Sequence, residues 1–210
     1  GWLILCFSAL MQGFALTATL KQFTDNAVSE SLVSVVFNSP IFNIYFMFLF
    51  PVLTMRLFSE ENRSGTIEGL LTAPVRTWQV VFSKFLAAYT TFLTLWIAAG
   101  AHFYLFTALT DVPPPFTNGE LIGAFLIIAL IGMLFITYGC LASALTSSQI
   151  IAGVVCTFIL IFHMFLGLIP KFFGEQIPAA GFFNFISSPR HLVDFTRGLL
   201  NTGTIGYYIA

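Results

Sequence analysis

The spacing of charged residues constrains this chain more than any other feature, because four long stretches carry none. Ionised side chains are costly in hydrocarbon, so charge-free stretches of about 20 residues or more mark segments that can cross a bilayer. These stretches are residues 1–20, 31–55, 85–110 and 121–170. The spacing therefore predicts an integral membrane protein.

The composition agrees with this prediction and excludes other classes. Only 8% of the 210 residues are charged, whereas a soluble domain carries about a quarter. A formal net charge of −1 offers no basic surplus for nucleic acid. The three cysteines lie in apolar runs without metal-ligand spacing, so we expect them to be buried apolar residues. They are Cys6, Cys140 and Cys156.

The longest charge-free stretch must fold back on itself. Its 50 residues, 121–170, would form a helix of about 75 Å, more than twice the thickness of a bilayer core. Its one polar cluster, residues 146–149, suits a tight turn. The predicted fold is an all-α membrane protein, a six-span polytopic helical bundle forming a single domain over 1–210. The predicted spans are 1–20, 32–55, 85–109, 121–145, 150–169 and a truncated sixth at 204–210. The chain begins with Gly, so we interpret it as an excerpt trimmed at both ends.

Two prolines lie in the second span. Pro40 suits the first turn of a helix capped by Ser39, and Pro51 is expected to bend the span.

Charge alone does not orient the chain. Alternation of spans places segments 56–84 and 146–149 on one side of the membrane and 21–30, 111–120 and 171–203 on the other. Each side carries four Lys or Arg residues, so the positive-inside rule gives a tie.

The segment 56–84 holds seven of the 17 formal charges. A break at Gly65 precedes a predicted short helix capped by Thr66, with Glu68 in the first turn, where the helix dipole favours an anion. Pro74 ends the helix. Its apolar stripe consists of Ile67, Leu70 and Leu71. The pattern by itself is typical of an interfacial connector whose apolar stripe faces the lipid and whose charges are solvated.

The segment 171–203 is too short in hydrophobic length to span twice. Ser188 is expected to cap a helix with Pro189 at its first position, and 201–203 to close it, with Gly198 as a weak point. One face carries Leu192, Phe195 and Leu199. We predict an interfacial or re-entrant helix on the external side, acting either as an exit gate or as a structural lid. The candidate gate residues are Arg190, Asp194 and Arg197, the first two of which are i, i+4 partners.

Two histidines, His102 and His163, are the ionisable groups inside the predicted spans. Each either bonds a backbone carbonyl one turn away or takes part in a proton relay. The sequence lacks the GxxxxGK[ST], HExxH and GxSxG motifs. We therefore predict no catalytic site in this chain, and energy supplied by a partner or a gradient.

Residues 60–75 read EENRSGTIEGLLTAPV, and Lys84 follows. This run resembles the signature of type-two ABC exporter permeases, roughly ExxxGT[LI]ExLLxxP[VI] with a later Lys, and Gly69 departs from it mildly. Residues 188–202, SPRHLVDFTRGLLNT, are similar to the segment before the last span in the gliding-motility and copper-maturation branches of that family.

The resemblance implies that 56–84 is cytoplasmic and carries a coupling helix seated in a groove of a separate ABC ATPase subunit. The ATPase-coupling residues it implies are Glu60, Glu61, Arg63, Gly65, Thr66, Glu68, Leu70, Leu71, Pro74 and Lys84. It also implies two copies of the ATPase, which would bind ATP and Mg²⁺, and a second permease copy or paralogue in the cytoplasmic (inner) membrane. The alternatives are a gradient-driven secondary transporter, a non-transporting membrane scaffold and an intramembrane enzyme.

Overall fold

The structure, a computed structural model, describes residues 2–25, 31–67, 69, 76–109, 116–174 and 179–209. Within these ranges the chain is helical and contains no strand. The helices are α1 (Trp2–Asp25), α2 (Leu32–Asn38), α3 (Pro40–Thr54), α4 (Ser59–Ser64), α5 (Thr77–Leu109), α6 (Asn118–Ala144), α7 (Gln149–Phe173), α8 (Ala180–Ile186), α9 (Ser188–Thr196) and α10 (Thr202–Ile209).

Five helical stretches are long and apolar enough to cross a membrane, which confirms a multi-pass membrane protein. They lie in α1, in α3 together with α4, and in α5, α6 and α7. The fold-back inside 121–170 is confirmed, because α6 ends at Ala144 and α7 begins at Gln149. The sixth span stays a prediction, since the structure describes there only the eight residues of α10.

Helix α5, which contains the predicted third span, begins at Thr77, before the predicted start of the span at position 85. Its 33 residues extend about 50 Å, well beyond a bilayer core of about 30 Å. No Pro or Gly interrupts 77–84, and Gln79 Oε1 accepts from the Arg76 amide at 3.0 Å. The helix can therefore start outside the membrane and enter it without a break.

The join between α2 and α3 follows the predicted chemistry. Ser39 caps α3, its side-chain oxygen accepts from the Phe42 amide at 3.2 Å, and Pro40 occupies the first turn. Pro51 lies inside α3, and its bend stays a prediction.

Helix α6 is the centre of the bundle and contacts α2, α3, α4, α5, α7, α9 and α10. Two of its glycines permit close approach. A Cβ at Gly132 would overlap the Phe92 ring of α5, and one at Gly139 would overlap the Thr54 side chain of α3. Small residues at helix contacts are the usual means of packing helices inside a membrane.

The core is largely aromatic. Phe50 and Phe92 are fully buried with ring centroids 5.2 Å apart, and Phe50 meets Phe135 edge-on at 5.1 Å. Of the cysteines, Cys140 and Cys156 are buried as expected, whereas Cys6 is exposed. The expectation for Cys6 was wrong because α1 lies at the edge of the bundle and contacts only part of it, α2, α3 and α5.

Candidate functional site

The predicted coupling residues divide into an anchored part and an exposed part. Glu60, Glu61 and Arg63 lie on α4, which ends at Gly65 in the left-handed conformation with φ 71°. This confirms the break at that position. Thr66 is exposed and is itself helical. A cap residue precedes the helix, so the predicted short helix includes Thr66 instead of starting after it. Glu68, Leu70, Leu71 and Pro74 lie outside the described residues.

Lys84, on α5, is the hub of the anchored part. Its Nζ lies 2.5 Å from Glu61 Oε1, donates to the Leu57 carbonyl at 2.7 Å, and stands 5.3 Å from the centre of the Phe58 ring. We call Leu57, Phe58, Glu61 and Lys84 the Lys84 cluster. It joins the third span to the chain that leaves the second.

The N-terminus of α4 is capped by a residue remote in sequence. Phe58 provides no side-chain cap. Instead the Ser143 hydroxyl of α6 accepts from the amides of Phe58 and Ser59 at 3.0 and 3.1 Å and donates to the Met55 carbonyl at 3.2 Å. The α4 helix therefore depends on α6 to satisfy its first amides.

The other face of α4 is bonded to the turn between α6 and α7. Asn62 Nδ2 donates to the carbonyls of Ala144 and Thr146 at 3.3 and 3.4 Å. Gln149 Nε2 donates to Glu60 Oε2 at 3.1 Å. Four of the five candidate spans thus meet at α4, directly or through the Lys84 cluster.

Beyond the anchored part the surface is open. Arg63, Gly65, Thr66 and Gly69 are exposed. Apolar side chains at the start of α5 are exposed as well, with Trp78 at 59%. An exposed mixture of aromatic and charged side chains at one end of a membrane bundle suits contact with another protein.

At the opposite end, a buried hydrogen-bonded network centres on Ser188. Its hydroxyl lies 2.8 Å from His163 Nε2 and accepts from the Tyr208 hydroxyl at 3.0 Å. His191 Nδ1 lies 3.1 Å from the same tyrosine oxygen, and the Tyr138 hydroxyl lies 3.4 Å from His163 Nδ1. We call Tyr138, His163, Ser188, His191 and Tyr208 the Ser188 network.

The network is satisfied without any charge. The Tyr138 hydroxyl can donate to Nδ1 of a neutral His163, and the Nε2–H group of the same ring can donate to Ser188 Oγ. The Nδ1–H group of His191 can donate to the Tyr208 hydroxyl oxygen, and the Tyr208 hydroxyl in turn donates to Ser188 Oγ. Burial lowers the pKa of His191, an effect that Asp194 opposes. The neutral form of this histidine is therefore favoured.

The network also locates the α8–α9 segment. His163 lies ten residues before the end of α7 at Phe173, or about 15 Å along the helix axis. Ser187 bonds the Gly167 carbonyl nearby at 3.1 Å, and Thr196, at the other end of α9, lies 3.3 Å from Asn38 of α2. After α7 ends, the chain therefore turns back and runs alongside α7, toward the interior of the bundle.

Several predictions for this segment are corrected. The cap of α9 is Ser187, which accepts from the Arg190 amide, and not Ser188. The helix ends at Thr196 and not at 201–203, because Gly198 adopts φ 78°. Leu199 therefore lies outside the helix and is 62% exposed. The predicted apolar face keeps Leu192 and Phe195, both buried.

The predicted gate residues face away from the interior. Arg190 and Arg197 are exposed and Asp194 is half-buried. The buried polar side chains of α9 are instead Ser188, His191 and Thr196, which the sequence reasoning missed. The one local sign of these contacts is the i, i+3 spacing of Ser188 and His191, which puts both side chains on the same face of α9. This spacing does not predict a buried network unless the partner helices are known.

The two span histidines behave differently. His102 Nδ1 lies 2.7 Å from the Ala98 carbonyl, which confirms the backbone bond expected one turn away. For His163 that expectation was wrong, because both ring nitrogens contact side chains of other helices, Tyr138 and Ser188. Within the described part of the chain no group of three or more His, Cys, Asp or Glu side chains is placed to hold a metal ion.

Comparison with known proteins assigns the fold to a family. The family model described as "ABC-2 family transporter protein" matches residues 7–193, which is most of the chain. The match includes the Lys84 cluster, α8 and the first six residues of α9. Neither the curated proteins nor the solved structures contain a match.

Proposed function

The chain belongs to the ABC-2 transporter family, and from that premise we propose that it couples ATP hydrolysis by a separate ATPase subunit to export of a substrate. Members of this family are membrane subunits, normally paired with an ABC ATPase subunit and not themselves catalytic. The observation that carries the coupling role is the construction of α4. It continues the second span, is bonded to the third, fourth and fifth spans, and is followed by an exposed segment.

The proposed docking surface is the exposed part of the segment 56–84, from Arg63 through Thr66 and on to the start of α5. A displacement of this surface would be transmitted to the third span through the Glu61–Lys84 contact. The same displacement would be transmitted to the fourth span through Ser143 and to the fifth span through Gln149. Because these contacts attach α4 to several helices at once, movement of the ATPase would tilt the helices together.

We place this surface in the cytoplasm and the chain in the inner membrane. ATP and Mg²⁺ would bind to two copies of the ATPase subunit, and a second permease copy or paralogue would complete the path. The contacts of Asn62 with the turn between α6 and α7 support a common side for segments 56–84 and 146–149, and the resemblance to type-two exporter permeases implies that this side is cytoplasmic.

At the external end we propose that α8 and α9 form a re-entrant hairpin that closes the exit. The contacts of Ser187 with Gly167 and of Ser188 with His163 support this, because they lie well inside the end of α7. Opening would break the Ser188 network, so that network, rather than Arg190, Asp194 and Arg197, would hold the gate shut.

Co-purification tests the coupling role. The purified chain alone should hydrolyse no ATP and should co-purify with an ATPase subunit. Glu61→Lys combined with Glu68→Lys should abolish the co-purification, because two carboxylates of the segment become cations and one of them faces Lys84. The control is Glu175→Lys, which makes one Glu-to-Lys change in the segment 171–203.

Unchanged ATPase binding in the double variant would refute the docking surface. Transport that persists without ATP and collapses with the proton gradient would refute the energy source and favour a secondary transporter.

A further inference from the structure

A cavity of about 450 Å³ lies between the end of α7 and the α8–α9 segment, a volume in the usual range of ligand sites. The two segments touch at its deeper end, where a Cβ at Gly167 of α7 would lie 2.7 Å from Ser187 Oγ. Lys171 of α7 and Arg190 of α9 also line the cavity, and both residues are exposed. Two different helices therefore each bring a cation to one cavity.

The cavity lies at the boundary of the hydrocarbon core. Lys171 is the first charged residue after the charge-free stretch 121–170, and Gly167 lies one turn earlier on the same face of α7, about 6 Å along the helix axis. Because helical side chains lean toward the N-terminus of their helix, the stem of Lys171 leans over the turn that contains Gly167. The cavity therefore covers the depth at which a lipid headgroup joins its acyl chains.

The charge that the cavity presents is positive. Among the described residues that line it, none is acidic, and Asp194, one turn after Arg190 on α9, does not belong to its wall. Asn184 of α8 adds an amide that can donate a hydrogen bond. A guanidinium binds phosphate through two parallel hydrogen bonds, and an ammonium acts as a point charge. Charges are costly beside hydrocarbon, so an anion bound between the two cations would lower the cost of both.

An apolar stripe leads from the cavity along α7 toward the middle of the membrane. Leu168 lines the cavity, and three apolar residues precede it at the spacing of one helix face: Phe165, Ile161 and Phe158. The two phenylalanines are 60% and 68% exposed, so the described part of the chain leaves them uncovered. An acyl chain lying on this stripe would have its headgroup at the cavity.

We propose that the cavity binds an anionic phospholipid, with its phosphate between Lys171 and Arg190 and one acyl chain along the stripe. Basic pockets between membrane helices are typical sites for such headgroups. A lipid without net charge lacks the property that two cations select, and a soluble anion leaves the stripe uncovered. The headgroup joins α7 to α9. If α8 and α9 close the exit as proposed above, the lipid stabilises the closed form, but its binding does not depend on that role.

Photolabelling of the full-length permease in phosphatidylcholine nanodiscs tests the site. The probes are a phosphatidylglycerol and a phosphatidylcholine, each with a diazirine near the start of one acyl chain, and mass spectrometry quantifies adducts on residues 158–171. We expect the phosphatidylglycerol probe to label these residues about 25-fold more than the phosphatidylcholine probe, because each of the two cations contributes about fivefold. Equal labelling by the two probes would overturn the proposal without any variant.

Variants test whether the two cations select the headgroup. Lys171→Gln and Arg190→Gln should each lower the preference to about fivefold, and the double variant should abolish it. Lys21→Gln and Arg197→Gln are the matched controls. They remove exposed cations from α1 and from the end of α9, neither of which lines the cavity, and the preference should stay unchanged. A preference that persists in the double variant would overturn the assignment of Lys171 and Arg190.

A soluble competitor identifies the source of the phosphate. Glycerol phosphate in large excess should leave labelling by the phosphatidylglycerol probe unchanged, because it carries the same phosphate without an acyl chain for the stripe. Loss of labelling under these conditions would overturn the lipid assignment and indicate a site for a soluble phosphate compound.

Discussion

The two ends of the bundle hold their connecting segments by opposite chemistry. The Lys84 cluster uses an ion pair whose side chains are 20% and 30% exposed, reinforced by bonds to backbone groups. The Ser188 network uses neutral side chains bonded to one another, with Ser188 only 2% exposed. A partly exposed end tolerates charge at little cost, whereas a buried segment inside a membrane protein must satisfy its polar atoms without charge.

The difference also concerns what each end can do. The Glu61–Lys84 pair is only partly exposed and joins α4 to the third span, so its main role is to position α4. Breaking a buried network leaves several groups unpaired at once, at about 1–3 kcal/mol each. Opening at the Ser188 end would therefore require several hydrogen bonds to break together, whereas Lys84 joins its two helices through one ion pair and one backbone bond.

Charge reversal at the Lys84 cluster should have the largest effect. In Glu61→Lys two ammonium groups would face each other where a 2.5 Å ion pair now stands, and the ATPase bound per permease should fall to background. The double variant Glu61→Lys, Lys84→Glu restores opposite charges and should recover most of the binding. Failure of the swap to recover any binding would show that Glu61 contacts the ATPase directly rather than orienting α4.

Removal of the central hydroxyl of the Ser188 network should have the next largest effect. Ser188→Ala deprives His163 and Tyr208 of their shared partner, and should lower the stability of the α9 packing by about 1–3 kcal/mol. Hydrogen exchange of residues 188–196 should accelerate, while ATPase binding stays unchanged. The control is Ser83→Ala, an exposed serine bonded to its own helix. Loss of ATPase binding in Ser188→Ala would contradict the separation of the two ends.

Removal of the remote cap of α4 should have a smaller effect. Ser143→Ala deprives the Phe58 and Ser59 amides of their acceptor, at about 0.5–2 kcal/mol. Their hydrogen exchange should accelerate, together with a partial loss of ATPase binding. Thr137→Val on the same helix is the control, because its hydroxyl bonds only the Met133 carbonyl. Unchanged exchange would mean that α4 is stable without Ser143.

The smallest expected effect is a pH dependence confined to the Ser188 end. Burial lowers the pKa of His191 below its ordinary 6.5, with Asp194 opposing and Arg190 assisting. As the pH falls below about 6.5, His191 is therefore protonated in the unfolded segment before it is protonated in the folded one. Over that pH range the free energy of unfolding of the segment decreases by at most about 1.4 kcal/mol per pH unit. Protection factors of the α9 amides, which are exchange rates corrected for the base-catalysed intrinsic rate, measure this between pH 7.5 and about 5, and lower protection at the higher pH would contradict it.

What the sequence predicts well is local or compositional. Charge-free stretches locate the spans, Ser39 and Pro40 locate the start of α3, and Gly65 locates the end of α4, because each depends on neighbouring residues. The cap of α4 comes from Ser143, 84 residues after Ser59, and no local pattern predicts it.

The Ser188 network was missed for a similar reason. It gathers side chains from four helices, and each of them looks unremarkable in its own segment. The charged residues of α9, which do stand out in the sequence, turn out to lie on its exposed side. In a membrane protein the charged side chains of a connecting segment mark its surface, and its interior contacts are made by neutral polar groups.

The most direct measurement of the coupling role is site-specific crosslinking to the ATPase subunit. A photo-reactive amino acid at Thr66, which is exposed just after Gly65, should crosslink to the ATPase in the assembled complex, with a yield that changes on addition of ATP. The same group at Arg190, exposed at the other end, should give no crosslink. A crosslink from Arg190, or none from Thr66 in a complex that still contains the ATPase, would contradict the assignment.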